Sequence, residues 1–115
     1  MEKVLIYHNN RCTKSRCALE LIEKKTKDFK VIEYLKTPPT EKELKGILKK
    51  LGMKAEELIR KKEPLFISKF TGKKFTDAQW IKVLSKNPIL IERPIIVKGN
   101  KAVIGRPTEN VNQIL

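Results

Sequence analysis

The sequence predicts an α/β fold in which a mixed sheet of about four strands is interrupted by a helical insertion. Three observations support this prediction. A short apolar run is followed by an amphipathic helix and a second strand, the middle of the chain has helical periodicity with two capping boxes, and two strands near the end flank Gly99-Asn100. The 115 residues are enough for one domain with its own core.

The first third of the chain predicts a strand, a helix and a second strand. Residues 4–7 form a continuous apolar run that is typical of a buried strand, and residues 29–35 alternate weakly between apolar and polar side chains. A helix is expected from residue 15 to about residue 25. Its expected apolar face contains Cys17, Ala18, Leu21 and Ile22. Because a helix connects them, the two strands should run parallel.

The middle of the chain predicts helices between the second and third strands. Thr40 and Glu43 form a capping box that opens a helix with apolar residues at a period of 3.6. Thr76 and Gln79 form a second capping box before another helix, and a shorter helix is expected between the two. We therefore expect a helical insertion over approximately residues 38–90.

The last third predicts a hairpin and a short final helix. Ile95–Lys98 and Lys101–Ile104 are apolar runs joined by the Gly-Asn turn, and Thr108 is expected to cap the final helix. This order of elements is that of a thioredoxin-like fold with a helical insertion, in a single domain over residues 1–115. A proline often precedes the strand that faces the reactive cysteine in that fold. Pro94 has this place, and its peptide bond is a candidate for the cis form.

A cysteine stands where the first strand gives way to the first helix. Cys12 lies within HNNRCTKSR, residues 8–16, a segment rich in hydrogen-bond donors. The first N–H groups of a helix have no partners within the helix, and the helix dipole is positive there. Such a position binds anions and favours a thiolate over a thiol. Cys12 is therefore predicted to be a reactive thiol beside an oxyanion pocket, whereas Cys17 is expected in the core.

The use of arginine also indicates an anionic substrate. Of the 26 basic residues, 21 are lysine and only five are arginine, so lysine supplies most of the general positive charge. A guanidinium group grips a tetrahedral oxyanion with two hydrogen bonds, a geometry that lysine cannot reproduce. The five are Arg11, Arg16, Arg60, Arg93 and Arg106. Two of them flank Cys12, and the other three can converge on it only through the fold.

Composition excludes several other classes of function. The net charge of +13 is spread along every segment and only 6% of residues are aromatic, so we expect no nucleic-acid partner. No apolar run approaches the roughly 20 residues that a membrane helix needs, and the N-terminus lacks a signal-peptide pattern. We therefore expect a cytoplasmic protein without a membrane partner. One histidine and two cysteines argue against a metal site and against a disulfide framework.

With these residues assembled, the sequence resembles the glutaredoxin-coupled arsenate reductase family, which is thioredoxin-like and related to the Spx regulators. The resemblance runs nearly from end to end. It rests on five segments in the same order, namely residues 8–16, 34–39, 58–61, 87–94 and 105–107. The sequence departs from the family at positions 10, 13 and 14, where Asn, Thr and Lys replace the proline or small residues that members often have.

The resemblance implies reduction of arsenate to arsenite by an arsenate reductase (glutaredoxin) type oxidoreductase. The Cys12 thiolate would attack arsenic, while Arg60, Arg93 and Arg106 would hold the arsenic-bound oxygens. The residues expected to bind the substrate or shape the loop are His8, Thr13, Ser15 and Arg16. Glutathione would attack the thiol-arsenate adduct as co-substrate, and glutaredoxin would close the cycle. No tightly bound cofactor is implied, and we expect a monomer.

Two other functions remain open from the sequence. The chain could be an Spx-like regulator that binds RNA polymerase, although Ser15 stands where the second cysteine of the Spx redox switch would be. It could also be a glutathione-dependent thiol oxidoreductase that acts on mixed disulfides. In that case the three distant arginines would be superfluous for catalysis.

Overall fold

A computed structural model describes residues 3–115 and divides them into two compact units. The sheet unit contains the chain up to Thr37 together with Arg93–Leu115. The helical unit is Pro38–Glu92, the segment in which the helical insertion is expected. The organisation of residues 1–115 as a single domain stays a prediction.

The sheet unit has a four-stranded mixed sheet with the order β2-β1-β3-β4. β1 pairs in parallel with β2 and antiparallel with β3, which pairs antiparallel with β4. This confirms the predicted α/β thioredoxin-like class and its parallel first two strands. The elements of this unit are β1 (Val4–His8), α1 (Thr13–Lys25), β2 (Phe29–Glu33), β3 (Ile95–Lys98), β4 (Lys101–Ile104) and a final 3₁₀ helix (Thr108–Gln113).

The core of the sheet unit lies between α1, the sheet and the final 3₁₀ helix. Its buried members are Val4, Ile6, Ala18, Ile22, Ile96 and Val111. The buried residues of α1 are Ser15, Ala18 and Ile22. The prediction that Cys17 lies in this core is wrong, because its side chain is exposed. Cys17 precedes Ala18 by one residue, and this turns it about 100° around the helix away from the buried face.

The helical unit begins with the two predicted capping boxes. Thr40 and Glu43 exchange hydrogen bonds of 3.0 and 3.1 Å at the start of α2 (Glu41–Leu51). Thr76 and Gln79 do the same, at 2.8 and 3.2 Å, at the start of α4 (Asp77–Lys86). Each box satisfies two backbone N–H groups that a helix start leaves without partners.

Other parts of the helical unit differ from the prediction. The short helix expected after α2 is a single 3₁₀ turn, Ala55–Leu58. α3 (Pro64–Lys69) was not predicted, since six residues are too few for an apolar period to show. A second 3₁₀ turn, Pro88–Leu90, precedes an isolated bridge between Ile59 and Ile91.

The C-terminal segment follows the prediction with one correction. The strands of the hairpin have the expected bounds, and the Arg93–Pro94 peptide bond is cis, as is that of Arg106–Pro107. Thr108 does not cap the final helix, because it is the first residue of that helix and Pro107 stands at the cap. No helix within residues 3–115 is long and apolar enough to cross a membrane.

Substitution by alanine should have opposite effects on stability at two glycines, Gly105 and Gly46. A Cβ at Gly105 would stand 2.9 Å from Pro94 Cγ and 3.0 Å from Ile96 Cδ1, whereas a Cβ at Gly46, inside α2, would meet nothing within 4 Å. We expect Gly105→Ala to lower the free energy of unfolding by about 1–3 kcal/mol through overpacking. Gly46→Ala should raise it by up to about 1 kcal/mol through helix propensity. Urea titration checks both, and a Gly105→Ala variant as stable as the parent would contradict the packing described.

Candidate active site around Cys12

Cys12 stands at the junction between the loop and α1. Its backbone is extended, with φ of −95° and ψ of 121°, and its carbonyl accepts the Arg16 N–H at 3.0 Å. Its own N–H donates to the Asn9 carbonyl at 3.0 Å, which closes the loop. Only 7% of Cys12 is exposed. The sulfur is therefore held in a recess at the positive end of the α1 dipole.

His8 and Ser15 support the loop from inside. Both are buried, and His8 Nδ1 lies 2.6 Å from Ser15 Oγ. Ser15 Oγ also accepts the Asn9 N–H at 3.0 Å, and His8 Nε2 lies 3.0 Å from Asn10 Oδ1. One neutral tautomer satisfies all three contacts: Nε2–H donates to Asn10, and the Ser15 hydroxyl donates to Nδ1. This geometry favours a loop-shaping role for both side chains.

Arg16 and Thr13 support the loop from its exposed side. Arg16 Nη1 donates to the Asn10 carbonyl at 3.2 Å, and Arg16 Nη2 donates to Thr13 Oγ1 at 3.3 Å. Arg16 thus joins the first turn of α1 to the loop that precedes Cys12. Its role in substrate binding, like that of Thr13, stays a prediction.

Two arginines that are distant in sequence meet the Cys12 sulfur. Arg106 Nη2 lies 3.3 Å from Sγ, and its Nε donates to the Arg93 carbonyl at 2.7 Å. The half-buried Arg93 guanidinium lies beside the Cys12 sulfur and the Tyr34 side chain and interacts with both. The sulfur therefore has two guanidinium groups beside it.

These surroundings lower the pKa of Cys12. Burial is the largest single influence and acts in the opposite direction, because it disfavours the charged thiolate. The backbone N–H of Ser15, the hydrogen bond from Arg93 and the charges of Arg93 and Arg106 together outweigh it. The pKa of Arg93 is raised: burial opposes this, but its contacts with Cys12 and Tyr34 prevail. The site thus favours an ion pair of a thiolate with guanidinium.

Asn110 holds the segment that presents Arg106. Its Nδ2 donates to the Ile104 carbonyl at 3.2 Å and to the Arg106 carbonyl at 3.1 Å. Sequence reasoning missed both Asn110 and Tyr34. The spacing of four residues between Arg106 and Asn110 is visible in the sequence, but an asparagine at that spacing does not reveal which carbonyl groups it will bind.

Arg60 belongs to the helical unit, where its surroundings are well defined. Its Nη1 lies 3.0 Å from Glu63 Oε2, in an ion pair whose side chains are 24% and 17% exposed. Its N–H donates to the Leu90 carbonyl at 2.8 Å. The expected role of Arg60 in substrate binding stays a prediction.

Neither cysteine forms a disulfide, and Cys17 is an exposed thiol on α1. Within residues 3–115, no group of three or more histidine, cysteine or carboxylate side chains could hold a metal ion. The chemistry that these described residues offer at the site is that of a thiolate and a pair of guanidinium groups.

The site places a thiolate at a helix start on a thioredoxin-like sheet, with two arginines beside it. These features define a thioredoxin-like thiol enzyme with a place for an oxyanion. Within that class the chain belongs to the ArsC family, whose match covers residues 7–114.

Relatives of this family cover the chain from end to end. The chain is 38% identical to a protein of Neisseria meningitidis serogroup A named arsenate reductase, over the full length of both. It is 39% identical to a protein of Escherichia coli K12 with the same name, over all of this chain and 82% of the other. A solved structure described as arsenate reductase from Vibrio cholerae is 39% identical, with a TM-score of 0.94 over 99% of this chain and 98% of the other.

The first prediction from this site concerns the ionisation of Cys12. In a Cys17→Ser background, ultraviolet absorbance of the thiolate against pH should give a midpoint below the roughly 8.5 of an ordinary thiol. Because the lowered pKa keeps the thiolate charged at lower pH, the signal should persist there. Arg106→Ala should move the midpoint upward, since one neighbouring positive charge is lost. An ordinary midpoint in the parent would contradict the electrostatics described here.

The second prediction concerns Asn110. Asn110→Asp places a carboxylate against two carbonyl oxygens, so the Arg106 segment should shift and the pKa of Cys12 should rise. In an Arg106→Ala background the same change should have little further effect, because Asn110 acts through Arg106. Asn112→Asp makes the same charge change at an exposed residue of the same helix and serves as the control. Equal effects of Asn110→Asp in both backgrounds would refute this coupling.

Proposed function

We propose that this chain is an arsenate reductase in which Cys12 is the nucleophile. The observation that carries the proposal is the pair of guanidinium groups, from Arg93 and Arg106, on a sulfur whose pKa is lowered. Arsenate is a tetrahedral oxyanion, so it needs both a thiolate to attack arsenic and cations to balance its charge. The names of the relatives at 38% and 39% identity support this choice of oxyanion.

In the first step the Cys12 thiolate forms a bond to arsenic. An arsenic-bound hydroxyl takes a proton and leaves as water, and arsenic remains pentavalent in the thiol-arsenate adduct. Arg93 and Arg106 hold the remaining oxygens and stabilise the charge that develops on them. Arg60 is proposed, from the family resemblance, as a third arginine for these oxygens. Thr13 and Arg16 add donors at the loop, while His8 and Ser15 keep it in shape.

In the second step a thiol from glutathione attacks the adduct. The new sulfur–sulfur bond joins Cys12 to glutathione, and the electron pair of the sulfur–arsenic bond stays on arsenic, which leaves as arsenite. The sum balances: one arsenic acid and two thiols give one arsenous acid, one disulfide and one water. A glutaredoxin thiolate then removes the glutathione and restores Cys12. Since the thiols supply both electrons, no tightly bound cofactor is needed.

The reaction is assigned to the cytoplasm, because thiols are kept reduced there. We propose that the chain works as a monomer, with the Cys12 recess built within its own sheet unit.

The two alternative functions account less well for the site. A regulator that switches through a Cys-x-x-Cys disulfide needs a second thiol at position 15, where the structure has a buried serine hydroxyl bonded to His8 and Asn9. A thiol oxidoreductase that handles only mixed disulfides has no need of two guanidinium groups on its sulfur. Both features favour an oxyanion substrate.

Removing one arginine tests the proposal. Arg93→Ala should lower kcat/KM for arsenate by about 100-fold or more, as loss of one oxyanion donor costs about 3 kcal/mol. Arg93→Lys should recover only part of the activity, because lysine keeps the charge but loses the planar fork. The assay follows arsenate-dependent NADPH oxidation with glutathione, glutaredoxin and glutathione reductase.

Lys101→Ala is the control for this series, since Lys101 is an exposed cation on β4 at the start of the strand. Nearly normal arsenate turnover in Arg93→Ala would show that Arg93 is not needed to hold the oxyanion, and would remove the observation that carries the proposal. No turnover in the parent protein, with Cys12 ionised, would overturn the choice of arsenate.

A further inference from the structure

Two cations, Arg11 and Lys14, form a rim beside Cys12, and the proposed reaction gives neither of them a role. Arg11 and Lys14 stand one residue before and two residues after Cys12, and both are exposed. The hydrogen bond of Arg11 is made by its backbone N–H, which donates to Asn9 Oδ1. Among the described residues, neither of the two side chains has a hydrogen bond or an ion pair.

The segment that carries this rim contains no carboxylate of its own. Residues 3–19 contain no aspartate or glutamate, and the first turn of α1 has no acidic residue. The neighbouring Arg16 side chain donates to two neutral oxygens, those of Asn10 and Thr13. The dipole of α1 adds positive potential at the same place. The side chains that flank Cys12 in sequence therefore present only positive charges to an anion that approaches the sulfur.

The thiol that completes the reaction must come from another molecule. Cys17 is the second cysteine of the chain, and it lies on α1 five residues after Cys12. Five residues span about 7.5 Å of helix rise, which exceeds the separation that a disulfide bridges. The Arg16 N–H already bonds the Cys12 carbonyl, so this part of α1 would have to unwind before the two sulfurs could meet. The electron donor is thus an external thiol that reaches Cys12 past the rim.

We propose that Arg11 and Lys14 form a docking surface for the electron donor and select a small thiol that carries carboxylates over a neutral one. The inference rests on the proposed function for the role of this donor. A carboxylate of the donor pairs with these side chains while its sulfur reaches the Cys12 sulfur. Both side chains are long and flexible, so the selection acts mainly by attraction and weakens as salt screens it.

The experiment separates this selection from arsenate chemistry. The full chain with Cys17→Ser is treated with 4,4′-dithiodipyridine, a neutral reagent, so that Cys12 carries a 4-thiopyridine disulfide. An added thiolate then attacks the Cys12 sulfur and forms a new disulfide, and 4-thiopyridone leaves with the electron pair of the broken sulfur–sulfur bond. The second-order rate of its release is measured with glutathione and with 2-mercaptoethanol. Each thiol is compared only with itself across variants, so differences in thiol reactivity cancel.

A matched pair of variants controls for net charge. Arg11→Gln with Lys14→Gln removes two charges at the rim, and Lys30→Gln with Lys101→Gln removes two exposed charges elsewhere in the sheet unit. The latter two lie toward the opposite end of β1, because Lys30 pairs with Leu5 and Lys101 pairs with Lys98, which pairs with Val4.

At low ionic strength, the variant with Arg11→Gln and Lys14→Gln should lower the rate of 4-thiopyridone release by glutathione by about threefold or more, on the scale of electrostatic steering. The rate with 2-mercaptoethanol should change by less than half that factor. Added salt should reduce the effect of the rim variant on the glutathione rate. The control variant should leave the ratio of the glutathione rate to the 2-mercaptoethanol rate unchanged. Equal slowing of both thiols, an equal loss in the control variant, or no loss in the rim variant would each overturn the proposal. If the selection holds but arsenate is not reduced, the proposed function fails and the docking surface stands.

Discussion

The candidate site requires a negative sulfur in a recess that is only 7% exposed. Burial alone would favour the neutral thiol, and it is the strongest single influence on Cys12. One backbone N–H and two guanidinium groups reverse that preference. The partners must be placed before substrate arrives, since groups that had to reorganise around the charge would stabilise it less.

Strand pairing places these partners. β3 runs antiparallel to β1, and Ile95 pairs with Tyr7, so the residues just before β3 lie at the end where β1 leads into the Cys12 loop. Arg93 is thereby brought to the sulfur, and its carbonyl then receives the Nε of Arg106. The Arg93 backbone thus helps to orient the Arg106 side chain, which would otherwise lose much rotamer entropy on binding an anion.

The loop itself is held by two layers of polar contacts. Ser15 is completely buried and joins His8 to the Asn9 backbone from below, while Arg16 joins Asn10 to the start of α1 from the exposed side. The exposed side chains of Arg11 and Lys14 take no part in this framework. The loop is thus hydrogen-bonded at its base and positively charged at its edge.

The features that depend on neighbouring residues can be predicted from the sequence. The capping boxes at Thr40 and Thr76, the hairpin at Gly99-Asn100 and the position of Cys12 at a helix start all follow from short-range hydrogen bonding and from apolar periodicity. The face of a short amphipathic helix is harder to predict, and Cys17 was placed on the wrong side because Ser15, a polar residue, takes the buried position instead.

The contacts between arginines and the sulfur are set by the three-dimensional fold of the sheet unit. Residue type alone does not separate the four arginines of the sheet unit, yet Arg93 and Arg106 reach Cys12, Arg16 holds the loop and Arg11 is exposed. The reason is physical: local hydrogen bonds and periodicity act over a few residues, whereas convergence on Cys12 depends on the register between β1 and β3, strands that are far apart in the chain.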